Sequence, residues 1–280
     1  MWQNRIAGIR RGVLLGALGA AVIATAGCNS GDLQLGNSSS SSSSSVTQSP
    51  AGVWSGLDSA TGLAMTGFVD GSGNADFILA NGTQYVGTAQ VAGSSISMTL
   101  DGYPQFGSQF ADGSTYGVGT FSGTVASAST ITGTLVFTSS DNTGETSAWS
   151  LTYNPLYETA GTLSAISGSY ADSPAISTGL DPLAAATVTI SAAGALSSQG
   201  AASGCVLNGM VSNSDTTHDV YQVSFSFTSC AGSYAELNGV SFTGLANFDG
   251  SVTPTQVIMG ASGQNSAGTG YALVQVFNGQ

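Results

Sequence analysis

Basic side chains are almost absent from this sequence. Of its 280 residues, 3 are Lys or Arg and 15 are Asp or Glu, so charged residues make up only 6% of the chain. The three basic residues are Arg5, Arg10 and Arg11, whereas the acidic residues run from Asp32 to Asp249. A chain that loses its N-terminal segment therefore keeps no Lys or Arg and carries a formal charge of −15. This composition excludes nucleic-acid binding through phosphate neutralisation, Schiff-base chemistry and a P-loop lysine.

The side chains that commonly carry catalysis are also scarce. His218 is the only histidine, and it falls with Asp215 and Asp219 in a predicted hairpin loop. A metal site with one His and two carboxylates is one interpretation, and a polar turn, typical of Asn, Asp and Thr, is the favoured one. No Gly-x-Ser-x-Gly motif occurs. With no second His, no Lys and no free Cys, a general base would have to be a carboxylate. We therefore predict a non-enzymatic protein with no catalytic residues and no cofactor.

The N-terminus has the pattern of an export signal. The three arginines precede an uncharged stretch from Gly12 to Gly27, which is 16 residues long. That length is short for a membrane span of about 20 residues but suits the apolar region of a signal peptide. The stretch ends in Thr-Ala-Gly-Cys at residues 25–28, which resembles the lipobox of bacterial lipoproteins, with Thr where that family usually has Leu, Val or Ala. An ordinary signal peptide cut near Ala26 is the alternative.

The lipobox resemblance implies a specific processing and location. It implies that residues 1–27 are a lipoprotein signal peptide and that Cys28 receives lipid, palmitate included, and becomes the new N-terminus. Asn29 after the cysteine implies sorting to the outer membrane. Residues 28–50 contain eight consecutive serines from Ser38 to Ser45 and almost nothing apolar, so they predict a disordered tether. Such a tether reaches about 25 Å on average.

The rest of the chain alternates apolar and polar residues with period two, which predicts antiparallel β-structure. Clear examples are Ile96–Asp101, Trp149–Tyr153 and Tyr221–Thr228. Helical periodicity is almost missing, and the one helix candidate is a single turn at Asn154–Glu158, with Asn as N-cap and Pro at the first helical position. The sequence therefore predicts an all-β body.

The β pattern occurs twice. Phe121-Ser122-Gly123 in the first half matches Phe242-Thr243-Gly244 in the second, and Trp149 and Tyr271 follow the two phenylalanines at similar spacings. Each half offers about eight strands, and a sheet of that many strands usually closes or curls. We predict two tandem small antiparallel β-barrels, over residues 51–158 and 159–280, with two β-sandwiches as the main alternative and a single larger domain as the third.

Cys205 and Cys230 remain as a pair once Cys28 carries lipid. A hairpin turn centred between residues 217 and 218 pairs position i with 435 − i, which sets the two cysteines opposite each other. Because an exported protein meets an oxidising environment, we predict a disulfide in the second half, worth about 3 kcal/mol in the chain-entropy model. Two buried free thiols are the alternative.

Oxygen-bearing side chains occupy alternate positions at Asp70, Ser72, Asn74 and Asp76, as they do in calcium loops, and Asp70, Asn74 and Asp76 are the candidate ligands. The same segment reads as a hairpin turn between Phe68 and Phe77, and this interpretation is favoured. The three residues are thus weak calcium candidates.

Two further features bear on ligand binding. Five large aromatic residues near strand ends either fill the barrels, which is the more frequent role, or stack on sugars at a barrel mouth: Trp54, Trp149, Tyr153, Tyr170 and Tyr271. Small residues on inward faces leave room for a ligand: Gly87, Ala89, Gly133 and Gly209.

Taken together, these motifs resemble a group of two-part lipoproteins of Gram-negative bacteria. The resemblance lies in the lipobox, the serine tether, the connecting segment Leu151–Tyr157 and Gly204-Cys205 in the second half, and it implies location and architecture but no catalytic residues. We expect a lipid-anchored outer-membrane protein, facing the periplasm or the surface, that is a structural or interaction module with an envelope protein or glycan as partner. A lipocalin-like carrier of a small apolar ligand is the alternative, and a carboxylate-based hydrolase of envelope glycans is the third hypothesis.

Overall fold

A computed structural model describes residues 48–173 and 180–280. The predicted signal peptide, Cys28 and the tether up to residue 47 lie outside the described residues. Within the described ranges, no helix is long and apolar enough to cross a membrane.

Eight antiparallel strands form the first barrel. Each strand pairs with the next along the chain, and the first pairs with the eighth, so the sheet closes on itself. The strands are β1 (Gly52–Asp58), β2 (Ala64–Val69), β3 (Asn74–Leu79), β4 (Gln84–Ala92), β5 (Ser95–Tyr103), β6 (Gly117–Ala126), β7 (Thr130–Ser139) and β8 (Gly144–Asn154).

The second barrel repeats this arrangement and closes by pairing its last strand with its first. Its strands are β9 (Gly168–Ser173), β10 (Thr187–Ile190), β11 (Ala195–Gln199), β12 (Val206–Ser212), β13 (Tyr221–Thr228), β14 (Ser241–Asp249), β15 (Gln256–Gln264) and β16 (Gly270–Gly279). The prediction of two tandem eight-stranded antiparallel barrels is confirmed, and the alternative of two β-sandwiches is wrong.

Short helical turns connect these strands. A 3-10 turn covers Pro155–Glu158, a four-residue helix α1 covers Leu163–Ile166, and a second 3-10 turn covers Gly232–Leu237. The predicted cap is confirmed, because the side chain of Asn154 accepts a hydrogen bond from the backbone N–H of Leu156. The predicted boundary at residues 158–159 falls in this connection.

The sequence repeat corresponds to equivalent strands. Phe121 lies on the sixth strand of the first barrel and Phe242 on the sixth strand of the second. Trp149 and Tyr271 both lie on an eighth strand. All four side chains are buried, so the repeated motif marks core positions of the two barrels.

Atoms of the paired strands and of neighbouring side chains occupy the space next to the inward glycines. A Cβ on Gly133 would lie 2.6 Å from the ring of Phe121, and a Cβ on Gly209 would overlap Phe225. A Cβ on Gly87 would lie 1.9 Å from the carbonyl oxygen of Thr99. The expected room for a ligand is therefore not found at these glycines, because backbone atoms of the paired strand or a neighbouring side chain already lie next to each of them. Trp54, Trp149, Tyr170 and Tyr271 are also buried in the two cores, whereas Tyr153 is partly exposed.

Cys205 and Cys230 form a disulfide, as predicted, with their Cα atoms 4.0 Å apart. The predicted register, however, is wrong by one residue. Val206 pairs with Thr228, so partners add up to 434 rather than 435. Ser229 adopts a φ of 62° and adds one residue beyond the end of β13, which brings Cys230 opposite Cys205.

The two barrels pack together within one compact unit that ends at Gln280. An apolar cluster joins them, formed by Val53, Phe68, Ile78, Tyr157, Val220, Leu245 and Val274. The side-chain amide of Gln84 also donates to the carbonyl of Leu273 at 2.9 Å across the junction.

The connection between β5 and β6 completes the second barrel. Among the described residues, strand β16 pairs with β9 through its last four residues, Val276–Gly279. Further along β16, the N–H and C=O of Ala272 bond instead to Pro104 and Phe106 of the first half, at 2.9 and 2.8 Å. The ring of Phe106 is 1% exposed and belongs to the second core, 5.5 Å from the ring of Tyr271.

Candidate functional site

A groove of about 460 Å³ opens between the two barrels. Strands β3, β4 and β5 form one wall and strands β12, β13 and β14 form the other. Neither half of the sequence contains this site alone, because its walls are the outer faces of two different sheets.

Asp76 lies in this groove because of the alternation along β3. Phe77 and Leu79 point into the first core, so Asp76 and Ile78 point outward, toward the second barrel. There Oδ2 of Asp76 lies next to Gly260, and a Cβ built on this glycine would lie only 2.7 Å from Oδ2. The glycine in β15 thus allows the carboxyl group to pack against the other barrel.

The carboxyl group of Asp76 is buried without a hydrogen-bond partner. Its residue is 1% exposed, and no donor among the described residues reaches either carboxylate oxygen. Burial raises the pKa of Asp76 to about 7, although the nearby backbone N–H of Leu245 acts to lower it. A charged group in this position is unfavourable, because it has left water and the nearby N–H of Leu245 offsets only part of that loss.

Asp101 is the second acidic residue of the groove. The hydroxyl of Tyr116 donates to its Oδ1 at 2.8 Å. This contact and the burial of the ring raise the pKa of Tyr116 to about 12, burial being the larger cause. Asp101 is therefore oriented by a neutral donor and keeps further acceptor positions free.

The calcium candidates take different roles in the structure. Asp70 accepts hydrogen bonds from the backbone N–H groups of Ser72 and Asn74, both at 2.9 Å, and from the side chain of Asn74 at 2.7 Å. The side chain of Gln222 in the second barrel adds a fourth bond at 3.0 Å. Asp76 does not join Asp70 and Asn74. Calcium binding at these residues stays a prediction, and the described part of the chain brings together no cluster of three His, Cys, Asp or Glu residues that could hold a metal.

His218 pairs with only one of its two expected carboxylates. Its Nδ1 lies 2.7 Å from Oδ2 of Asp215, and its ring stacks on Tyr157 at 4.3 Å. Hydrogen bonds from Thr217 and His218 lower the pKa of Asp215 to about 2. The pairing holds the loop against the connecting segment between the barrels.

Asp219 turns away from His218, so the metal site with one His and two carboxylates does not assemble. Its Oδ2 lies 3.2 Å from the side-chain nitrogen of Asn247, and the residue is 1% exposed. Burial raises the pKa of Asp219 to about 7, against the lowering effect of the backbone N–H of Phe248.

Asp58 forms a second buried acidic site, which the sequence did not reveal. It accepts hydrogen bonds from Ser147 Oγ at 2.6 Å, Trp149 Nε1 at 2.9 Å and Thr61 at 2.8 and 2.9 Å. Burial acts to raise its pKa, but these bonds outweigh burial and lower it. Asp58 therefore forms four hydrogen bonds, whereas the buried carboxyl group of Asp76 forms no hydrogen bond with the described residues.

No protein-family model matches this chain, and no curated protein matches its sequence.

Proposed function

We propose that this chain is a lipid-anchored outer-membrane lipoprotein of a Gram-negative bacterium and acts as a non-enzymatic binding module of the cell envelope. The observation that supports binding is the contrast between the two packed barrel interiors and the open groove between the barrels, which has a buried carboxyl group without a hydrogen-bond partner at its wall. In this proposal the barrels are a rigid support, and the partner binds between them.

The anchor is supported by the sequence of the export signal, the lipobox-like residues 25–28 and the serine tether. Membrane fractionation of cells expressing the full chain tests it. The wild type should sediment with membranes and incorporate labelled palmitate, and Cys28→Ala should do neither. Palmitate-free wild-type protein would contradict the anchor, whatever the groove binds.

Thiol protection tests the groove as the binding surface. Because Cys205 and Cys230 are joined and Cys28 carries lipid in this proposal, a newly introduced cysteine is the only reactive thiol. We choose Ser224→Cys, which is exposed in the groove, and Thr120→Cys as the matched control on the outer face of β6. In isolated envelopes a maleimide should label the control but not the groove cysteine, and both should react in purified protein. Equal labelling of both in envelopes would refute the groove as the binding surface.

A carboxylate-pair hydrolase of envelope glycans is the second candidate, because Asp76 and Asp101 line the same groove in different environments. Glycosidases use one carboxyl group with a raised pKa and one ionised partner. Against this, both oxygens of Asp76 are sealed from solvent. Release of reducing ends from murein or polysaccharide by the wild type, but not by Asp101→Asn, would favour the enzyme over the binding module.

A further inference from the structure

Asp76 and Asp101 stand in one row across three strands. Val86 on β4 pairs with Asp76 on β3 and with Asp101 on β5, so all three side chains share the outer face of the sheet. Since neighbouring strands are about 4.8 Å apart, the two acidic residues are separated by roughly 10 Å at their Cα atoms. The row therefore consists of two carboxyl groups with one apolar side chain between them, and all three residues line the groove.

The chain offers no cation to this row. No Lys or Arg follows Arg11, and the single histidine is engaged by Asp215. Asp101 has a neutral partner in Tyr116, whereas Asp76 has none among the described residues. A buried carboxylate without a cation or a hydrogen bond is unfavourable. A ligand that supplies positive charge therefore gains more binding free energy here than at an exposed acidic residue.

We propose that the groove binds a linear aliphatic diamine in its diammonium form, with one ammonium on Asp76, the other on Asp101 and the methylene chain across Val86. This proposal builds on the groove as the binding surface and names its ligand class. The carboxyl group of Asp76 turns from its position beside Gly260 into the groove when the ammonium enters. Leu245, from the opposite wall, covers the methylene chain.

The chemistry of the row selects ammonium groups over other cations. An ammonium is a compact charge with three donors, which a carboxylate and the hydroxyl and amide oxygens of the groove can accept. Calcium takes six to eight oxygen ligands. A guanidinium presents five donors in a rigid fork and needs more acceptors in one plane than a single buried carboxyl group offers. An alkyl stem also gains from contact with apolar surface while its charged end is paired.

Calorimetric titration of the full chain in a non-ionic detergent tests the proposal. The probes are 1,5-diaminopentane, pentylamine with one charge, and 1,5-pentanediol with none. The diamine should bind about tenfold or more tightly than the monoamine, because the second contact becomes intramolecular, and the diol should not bind. A series from 1,3-diaminopropane to 1,8-diaminooctane should show one preferred length. Equal affinity across that series would overturn the two-point contact.

Charge-matched variants separate a site from general attraction to an acidic protein. Asp76→Asn should weaken diamine binding by about thirtyfold or more. Asp101→Asn should reduce it to the level of the monoamine, and Asp141→Asn, which removes the same charge from an exposed turn, should leave it unchanged. If all three variants bind alike, or if calcium and not the diamine binds in a manner that requires Asp76, the proposal is wrong. Protection of the cysteine at position 224 in envelopes without diamine binding would refute the ligand class and leave the groove as the binding surface.

Discussion

Removal of the Phe106 side chain tests whether the two barrels unfold as one unit. The residue belongs to the first half of the chain, but its ring is buried in the second core, against Tyr271 and Tyr234. Phe-to-Ala substitution at a fully buried position costs about 3–5 kcal/mol, because apolar contacts are lost and a cavity remains. We therefore expect Phe106→Ala to lower the free energy of unfolding by that amount.

Tryptophan fluorescence reports on the unfolding of the first barrel separately from the second. Among the described residues, the tryptophans are Trp54 and Trp149, and both lie in the first barrel. In a urea titration with a slope of about 3 kcal/mol/M, a loss of 3–5 kcal/mol moves the midpoint by roughly 1 M or more. If the barrels unfold together, the fluorescence midpoint of Phe106→Ala falls by this amount although the missing ring packed in the other barrel. Circular dichroism should report the same midpoint.

The matched control uses the same connection. Phe110 also lies between β5 and β6 but packs on the first core, 5.2 Å from Phe137, and is partly exposed. Phe110→Ala should have a smaller effect. A fluorescence midpoint that stays at the wild-type value in Phe106→Ala, while circular dichroism shifts, would show that the barrels unfold independently and would refute the reasoning.

Three further predictions concern buried polar groups and the disulfide. Burial raises the pKa of Asp76 and of Asp219 to about 7, so the folded state holds protons at these two groups that the unfolded state releases. Their contribution to stability is fully present below about pH 4 and is lost as the pH rises through 7, so in chemical unfolding Asp76→Asn should lose less stability than the wild type between pH 4 and pH 7. The stability contributed by Asp58 depends on pH in the opposite direction, because its pKa is lowered in the folded state. Asp58→Asn should lower the melting temperature at pH 7, consistent with a loss of about 2 kcal/mol in the free energy of unfolding. This loss should become smaller in acid, as the wild-type carboxylate becomes protonated. Replacement of Cys205 and Cys230 by serine should reduce the free energy of unfolding by about 3 kcal/mol, with oxidised wild type as reference, and an unchanged urea midpoint would count against the disulfide as a stabiliser.

The strands and the repeat were predictable because they depend on local alternation. In Ile96–Leu100 every second residue is apolar, and the structure buries those residues and exposes the others. The match between Phe121 and Phe242 was also reliable, since a duplicated barrel needs a large side chain at equivalent core positions. Closure followed from the number of strands, because open edges are unfavourable.

The register of the cysteine hairpin and the groove could not be predicted in the same way. The extra residue at Ser229 depends on its positive φ, a conformation that a serine in the sequence does not indicate. From the sequence, Asp76 was assigned to a turn, because the sequence does not reveal that the outer face of β3 packs against the second barrel. A signal was nevertheless present, since Asp76 stands within the apolar run Ala75–Leu79, where a carboxylate in a strand needs an explanation.

The pairing of β16 with the connection between β5 and β6 has a consequence for how copies of the protein behave near one another. Strand edges with free N–H and C=O groups pair readily with other chains. In the second barrel the backbone groups of Ala272 on β16 pair with Pro104 and Phe106 of the first half instead of with β9. A second half produced alone would leave these backbone groups exposed to a neighbouring chain. The first barrel therefore also prevents strand exchange between copies. That protection matters most for a protein held at high density on a membrane surface, as proposed for this one.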